Sequence, residues 1–270
     1  MDIRRRGQMS TALVTSIVPI INLEDYVTFE ALEDGLTVSL STNACEYCVD
    51  GDGNWLTLSA GTQSKSVNVG HTLSFRGNIT PTSNAGIGTF TIGKKCNVIG
   101  NAMAMLFGDS GKDNYSLNGK NYAFHRLFYN AYNIVTVSSG FLPATTLSRY
   151  CYYYMFYGCT ALTSAPALPA TTLQQYCYQY MFRGCTSLTT APVLPATTLV
   201  SYCYNYMFQN CSKLNYIKAM FTNTPSTTYT RSWVQSVSTS GTYVKNSRAS
   251  YTTTGNNGIP SGWTVETASS

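Results

Sequence analysis

An all-β sandwich followed by an α/β solenoid of 26-residue repeats, closed by a C-terminal cap, is the architecture that this sequence predicts. Three observations predict it. LPATTL begins at Leu142, Leu168 and Leu194, and YCYxYMF at Tyr150, Tyr176 and Tyr202, each 26 residues after the last. A fixed period of this length is how stacked repeats announce themselves in sequence. Short alternating runs separated by Gly, Asn and Asp fill residues 26–100, as an antiparallel sandwich requires. Beyond residue 216 the motif stops, which marks a cap.

The sandwich runs are VTFEALEDG, LTVSLST, YCVD, WLTLSA, SKSVNV, TLSFRGN and GTFTIG. Asp50-Gly51-Asp52-Gly53-Asn54 begins like a calcium loop, but Gly61 stands where the last acidic ligand belongs. The stretch is better made as a hairpin turn, with Gly and Asn supplying positive φ and Trp55 packing the hairpin onto the sandwich. Residues 101–216 form the array. Its lead-in copy, residues 101–141, is degenerate: Leu127-Phe128 precedes Met155-Phe156 by 28 residues.

Within a full copy, Leu173, Tyr176, Cys177, Tyr180 and Met181 fall at i, i+3, i+4, i+7 and i+8, one face of a helix. Thr172 and Gln175 have capping-box spacing before it, and Gly184 stands where a helix ends. LTSAP and LTTAP are strand candidates, with Leu162, Leu188 and Leu214 inward. One helix and one short strand per copy make a leucine-rich-repeat coil, whose face is buried by stacking. In residues 217–270, Trp233, Val234 and Val237 suggest a short helix, GTYVK a strand, and GIPSGWTVET a last extended piece. Trp233 and Trp263 are lids for the open end of the array.

Residues 1–25 begin with Arg4, Arg5 and Arg6 and an apolar run, Thr11 to Ile21, which imitates a signal peptide. Pro19 breaks the run, and it is too short to span a bilayer. The expectation is an arm that anchors the chain to other particle proteins.

Composition narrows function. Charged residues are 11% of the chain, against about a quarter in ordinary globular domains. Thr, Ser, Asn and 21 Tyr supply the polarity instead, in the manner of an extracellular or virion protein. The net charge is +5, yet nine of 12 acidic residues precede Gly53 and none lies between Cys151 and Val265. The basic residues are scattered, which argues against nucleic acid as a partner. Six of nine Cys recur with the repeat as C-x7-C, a spacing that suits ladders of buried thiols rather than zinc. The lone Cys45-x-x-Cys48 lacks the βαβ context of a redox pair. His71 and His125 lie in different segments, and no carboxylate pair, phosphate loop or nucleophile elbow accompanies them. No enzyme, cofactor or metal is expected.

The unit LPATTLxxYCYxYMFxGCTxLTxAP resembles the BspA-like leucine-rich repeats of gut-bacterial surface proteins and their phages. The segment VTFEALEDG…CVDGDGNWLTL…VGHTLSFRGN looks like the immunoglobulin-like module that precedes such arrays. The resemblance covers residues 27–267 and implies an all-β immunoglobulin-like sandwich, an α/β leucine-rich-repeat solenoid, and recognition or adhesion outside the cell. The chain departs from secreted members in lacking a signal or lipid-attachment Cys. That favours a phage-particle appendage over a bacterial surface adhesin, with a purely architectural virion component as the other reading.

The polar positions that differ between copies are the candidate binding surface: Arg149, Gln175 and Ser201; Tyr153, Gln179 and Asn205; Tyr157, Arg183 and Gln209. On a helix, residues 153, 179 and 205 fall off the apolar face and form one exposed row. Stacked aromatics, amides and Arg suit a host glycan or protein. Tyr152, Tyr178 and Tyr204 form another row, assigned to packing. A homo-oligomer is an open alternative.

Overall fold

The computed structural model describes residues 20–83 and 85–268. Most of the expected N-terminal arm therefore lies outside the described residues. Its last part lies against the first domain, where Ile21 N–H donates to the Gly51 carbonyl at 2.9 Å.

Seven strands occupy residues 27–100: β1 (Val27–Ala31), β2 (Val38–Leu40), β3 (Cys45–Val49), β4 (Leu56–Leu58), β5 (Thr72–Arg76), β6 (Phe90–Ile92) and β7 (Cys96–Gly100). β1 runs antiparallel to both β5 and β7, and β3 pairs with β4 and β5. β2 and β6 form a separate two-stranded sheet. The two sheets meet through Phe29, Phe75 and Phe90, whose ring centroids lie 5.2–5.4 Å apart in edge-on arrangements. Edge-on geometry suits the ring quadrupoles. Thr28, on the other face of β1, is buried and satisfied by the Ser74 hydroxyl at 2.8 Å. The turn at Asp50 to Gly53 carries positive φ at Asp50, Gly51 and Gly53. Trp55 lies 4.9 Å from the Tyr26 ring, with the Arg76 guanidinium 4.0 Å over its centroid.

β8 (Ile134–Val137) pairs parallel with β7 and extends the larger sheet to six strands, so the first domain and the repeats share a sheet. Between them, α1 (Ala104–Phe107) is the one α-helix among the described residues. The third sheet is parallel and belongs to the C-terminal part: β9 (Tyr216–Ala219), β10 (Thr242–Lys245) and β11 (Thr264–Thr267).

This overturns the α/β leucine-rich-repeat solenoid. No helix forms in any of the three full copies of the repeat, and none of the three sheets winds into a solenoid. The reason is local. Each copy places a left-handed residue every fourth position: Tyr150, Tyr154 and Gly158; Tyr176, Tyr180 and Gly184; Tyr202, Tyr206 and Asn210. A helix cannot pass through such residues. The backbone N–H groups instead alternate between two destinations. Tyr153 donates to the Tyr150 carbonyl and Met155 to that of Tyr152, closing one turn after another. The intervening N–H groups leave the layer: Tyr152 donates to the Cys177 carbonyl at 3.0 Å and Phe156 to that of Met181 at 2.9 Å. Tyr178 and Phe182 repeat this toward Cys203 and Met207. Every N–H from Tyr152 to Cys159, Tyr176 to Cys185 and Tyr202 to Cys211 finds a carbonyl without any helix, as a buried backbone requires.

The stacked layers bury pairs of residues four apart. Cys151 and Tyr152, then Met155 and Phe156, then Cys159 are 0–1% exposed. Phe156, Phe182 and Phe208 stack at 5.4 and 5.8 Å, within 6° of parallel. The thiols of Cys159, Cys185 and Cys211 donate to carbonyls of the preceding layer at 3.0–3.1 Å. All nine Cys are free and buried, and burial pushes the Cys45 and Cys96 thiols up to about 12. The LTSAP and LTTAP segments make only isolated bridges, Thr136 with Ser164 and Thr190 with Tyr216.

Layering continues where the sequence motif stops. Tyr206, Phe208 and Asn210 donate to the carbonyls of Arg231, Trp233 and Gln235, each at 2.8 Å. Ser232 and Ser236 have positive φ, like Tyr206 and Asn210 before them. Trp233, Val234 and Val237 thus lie in a further turn layer rather than in a helix. β10 holds the same register on β9, with Thr242 opposite Tyr216. Trp233 is fully buried at the end of the aromatic stack.

Candidate recognition surface

The solvent side of the layers is ribbed by tyrosine. Tyr122, Tyr150, Tyr176 and Tyr202 stack with centroids 4.6, 4.4 and 4.7 Å apart and planes within 8°. Beside them Tyr154, Tyr180 and Tyr206 stack at 4.4 and 4.6 Å within 3°. A third, shorter pair joins Tyr129 to Tyr157 at 4.9 Å. These spacings follow from the hydrogen-bonded layers beneath, which match the separation of neighbouring strands. The rings are half-buried because their faces cover one another, which leaves edges toward solvent.

All seven residues of the two long rows have φ between 57° and 66°. Left-handed backbone costs an L-residue about 1–2 kcal/mol, and glycine would adopt it freely. Glycine does stand at the third such position of the same turns, Gly158 and Gly184. The backbone therefore does not ask for tyrosine at the other two. The side chains must supply what justifies the strain, by stacking, by contact with a ligand, or by both.

Burial raises the Tyr154 and Tyr180 phenols to about 12, and the neighbouring tyrosine oxygens add to it. Tyr176 is raised for the same two reasons, in the same order. These three are consequently uncharged hydroxyls throughout the physiological range. Guanidinium groups lie over their rings: Arg126 over Tyr129 and Tyr154 at 5.3 and 5.5 Å, Arg149 over Tyr150 at 5.8 Å, and Arg183 over Tyr157 and Tyr180 at 5.6 Å.

The sequence-derived surface divides against this geometry. Arg149 and Gln175 are exposed, and Tyr153, Tyr157 and Arg183 are half-buried along the ribbed side. Gln179, Asn205 and Gln209 are not exposed, at 9%, 1% and 8%. The row expected at 153, 179 and 205 is therefore no open row. The Asn205 side-chain oxygen accepts from Arg231 N–H at 2.8 Å, and the Gln209 amide donates to Gln235 at 2.6 Å. Both amides stitch the last layer to the next. The long tyrosine rows were missed because they repeat identically, and identity between copies reads as scaffold.

His125 sits under this side, 5% exposed, against the rings of Tyr122, Tyr153 and Tyr154. Neither ring nitrogen has a partner. Burial, then the Arg126 charge, lowers its pKa from 6.5 to about 4. An unfolded histidine takes its proton near pH 6.5, whereas the folded one resists until about 4. Stability is therefore full above 6.5 and falls as pH drops through this window, by roughly 3 kcal/mol. Urea unfolding of wild type and His125→Phe from pH 7.5 to 4 checks this. The wild type should carry the extra slope and the variant should lack it; parallel curves contradict the assignment.

Among the described residues no group of three or more His, Cys, Asp or Glu could hold a metal ion, and no helix is long and apolar enough to cross a membrane. No protein-family model, no curated protein and no solved structure matches the chain, so the BspA-like resemblance and the phage, virion or adhesion setting rest on the sequence likeness alone.

Proposed function

We propose that this chain is a non-enzymatic recognition protein that holds an extended ligand, a surface polysaccharide first of all, along its tyrosine-ribbed side. One observation carries the reading: seven tyrosines occupy backbone positions that favour glycine and stack there at the solvent boundary. Tyrosine offers rigid contact area and a hydroxyl at low entropic cost. A row that repeats at a constant step fits a ligand that is itself a repeating polymer. In this reading the chain belongs to a virus particle, with residues 1–25 meeting other particle proteins. The support for that setting is the likeness of the repeat motif.

The test is binding of the full chain to dextran, xanthan and alginate by affinity electrophoresis. Tyr150→Phe, Tyr176→Phe and Tyr202→Phe, combined, run alongside. Phenylalanine keeps the stack and deletes the hydroxyls. Wild type should bind at least one of the polymers, and the variant should bind it about tenfold more weakly, the size of one or two lost hydrogen bonds. Equal binding by both proteins, or none by the wild type, sinks the reading.

A further inference from the structure

The ribbed side carries positive charge that no carboxylate among the described residues neutralises. The sequence from Asn114 to Val265 contains no Asp or Glu, although it holds nine Lys and Arg. Among the described residues every ion pair uses a carboxylate outside that stretch: Asp50, Glu46, Asp109, Glu33 or Asp113. Arg126, Arg149 and Arg183 take part in none of them. Arg126 and Arg149 are exposed, Arg183 is half-buried, and each lies over a ring of the tyrosine rows. Folding does not require three unneutralised guanidiniums on one side, since exposed cations contribute little to stability. A guanidinium is built to grip a carboxylate with two parallel N–H donors. Held over an aromatic ring, it loses less freedom on binding than a free side chain would.

The alternating chemistry, guanidinium beside phenol hydroxyl, is that of a carbohydrate bearing both carboxylates and hydroxyls. We infer that the ribbed side binds a linear acidic polysaccharide of the polyuronate type, its carboxylates on Arg126, Arg149 and Arg183 and its hydroxyls on the tyrosine edges. The inference rests on the recognition reading above and names its ligand class. A single-stranded nucleic acid is also a linear polyanion, but it needs open aromatic faces on which bases stack. Here the faces within each row are closed by neighbouring rings 4.4–4.7 Å away, which leaves no room for bases to enter along it.

The deciding experiment uses the full chain with alginate as the polyuronate, dextran as the neutral polymer and oligo(dT) as the nucleic acid. One variant combines Arg126→Gln, Arg149→Gln and Arg183→Gln. A control combines Lys213→Gln, Lys218→Gln and Arg248→Gln, removing equal charge elsewhere. Wild type should prefer alginate to dextran, the preference should shrink with added salt, and the Arg variant should lose alginate at least about tenfold while the control changes by less than about twofold. Equal losses in both variants would reduce the effect to net charge and overturn the inference. So would tighter binding of oligo(dT) than of alginate. Dextran bound as well as alginate, with only the Tyr→Phe variant impaired, would leave the recognition reading standing and remove this one. No binding of any polysaccharide would end both.

Discussion

Phe182→Ala is expected to lower the unfolding free energy by about 3–5 kcal/mol, the range for deleting a fully buried aromatic ring. Phe182 is the middle of a stack, fully buried between Phe156 at 5.4 Å and Phe208 at 5.8 Å. The layers on both sides are tied to it by backbone hydrogen bonds, Phe156 N–H to the Met181 carbonyl and Phe182 N–H to that of Met207. They cannot slide in to fill the space, so the cavity term stays large. Urea unfolding with an unchanged denaturant slope gives the number. Tyr176→Phe, which keeps its ring and changes only a solvent-side hydroxyl, should shift stability by less than about 1 kcal/mol. Comparable losses at the two positions would mean that the interior and the ribbed side have been exchanged.

The second large effect is expected at the far end. Trp233 is fully buried, with Tyr204, Phe208, Phe221 and Tyr243 at 5.9–6.4 Å around it. Its indole N–H donates to the Gly258 carbonyl at 2.8 Å. Trp233→Ala removes the ring that closes the end of the phenylalanine stack at Phe208 and leaves that carbonyl without its donor. The loss should be about 4–5 kcal/mol, most of it from the ring. The last repeat layer would then face a void, and binding of a hydrophobic dye should rise before global unfolding. A loss under about 1 kcal/mol would show that the aromatic column does not need its end closed.

Sequence and structure agree on the period and part on what one period contains. The 26-residue spacing of LPATTL and YCYxYMF corresponds to the register in which layers hydrogen-bond, with Tyr152 over Cys177 and Tyr178 over Cys203. Six of the seven strands of residues 27–100 overlap the alternating runs, whereas SKSVNV makes only an isolated bridge at Val67 and β7 (Cys96–Gly100) follows none of those runs. The helix was misread because positions i, i+4 and i+8 recur both in a helix of 3.6 residues per turn and in a chain of four-residue turns. Over nine residues the two periods scarcely separate. What distinguishes them is the sign of φ at Tyr176 and Tyr180, and tyrosine gives no sign of it, since left-handed backbone is ordinarily flagged by Gly or Asn. Only the last left-handed position of each copy, Gly158, Gly184 and Asn210, carries that flag, and a helix C-terminus explains it equally well. The exposed row at 153, 179 and 205 was lost with the helix that would have displayed it. The layer through Trp233 was illegible for another reason: it keeps the backbone of the repeat with different residues, Ser232 and Ser236 in place of Tyr206 and Asn210.

Left-handed turns build the layers in place of helices, and one comparison tests this most directly: the stability of Tyr180→Gly against Tyr180→Ala. Both variants lose the same ring, so stacking cancels and the backbone remains. Tyr180 has φ of 59°. There glycine is unstrained and alanine is not, so the glycine variant should be the more stable by about 1–2 kcal/mol. In a helix the order reverses, and alanine would be favoured by about 1 kcal/mol. A more stable alanine variant would contradict the turn-built layer and everything argued from the tyrosine rows it displays.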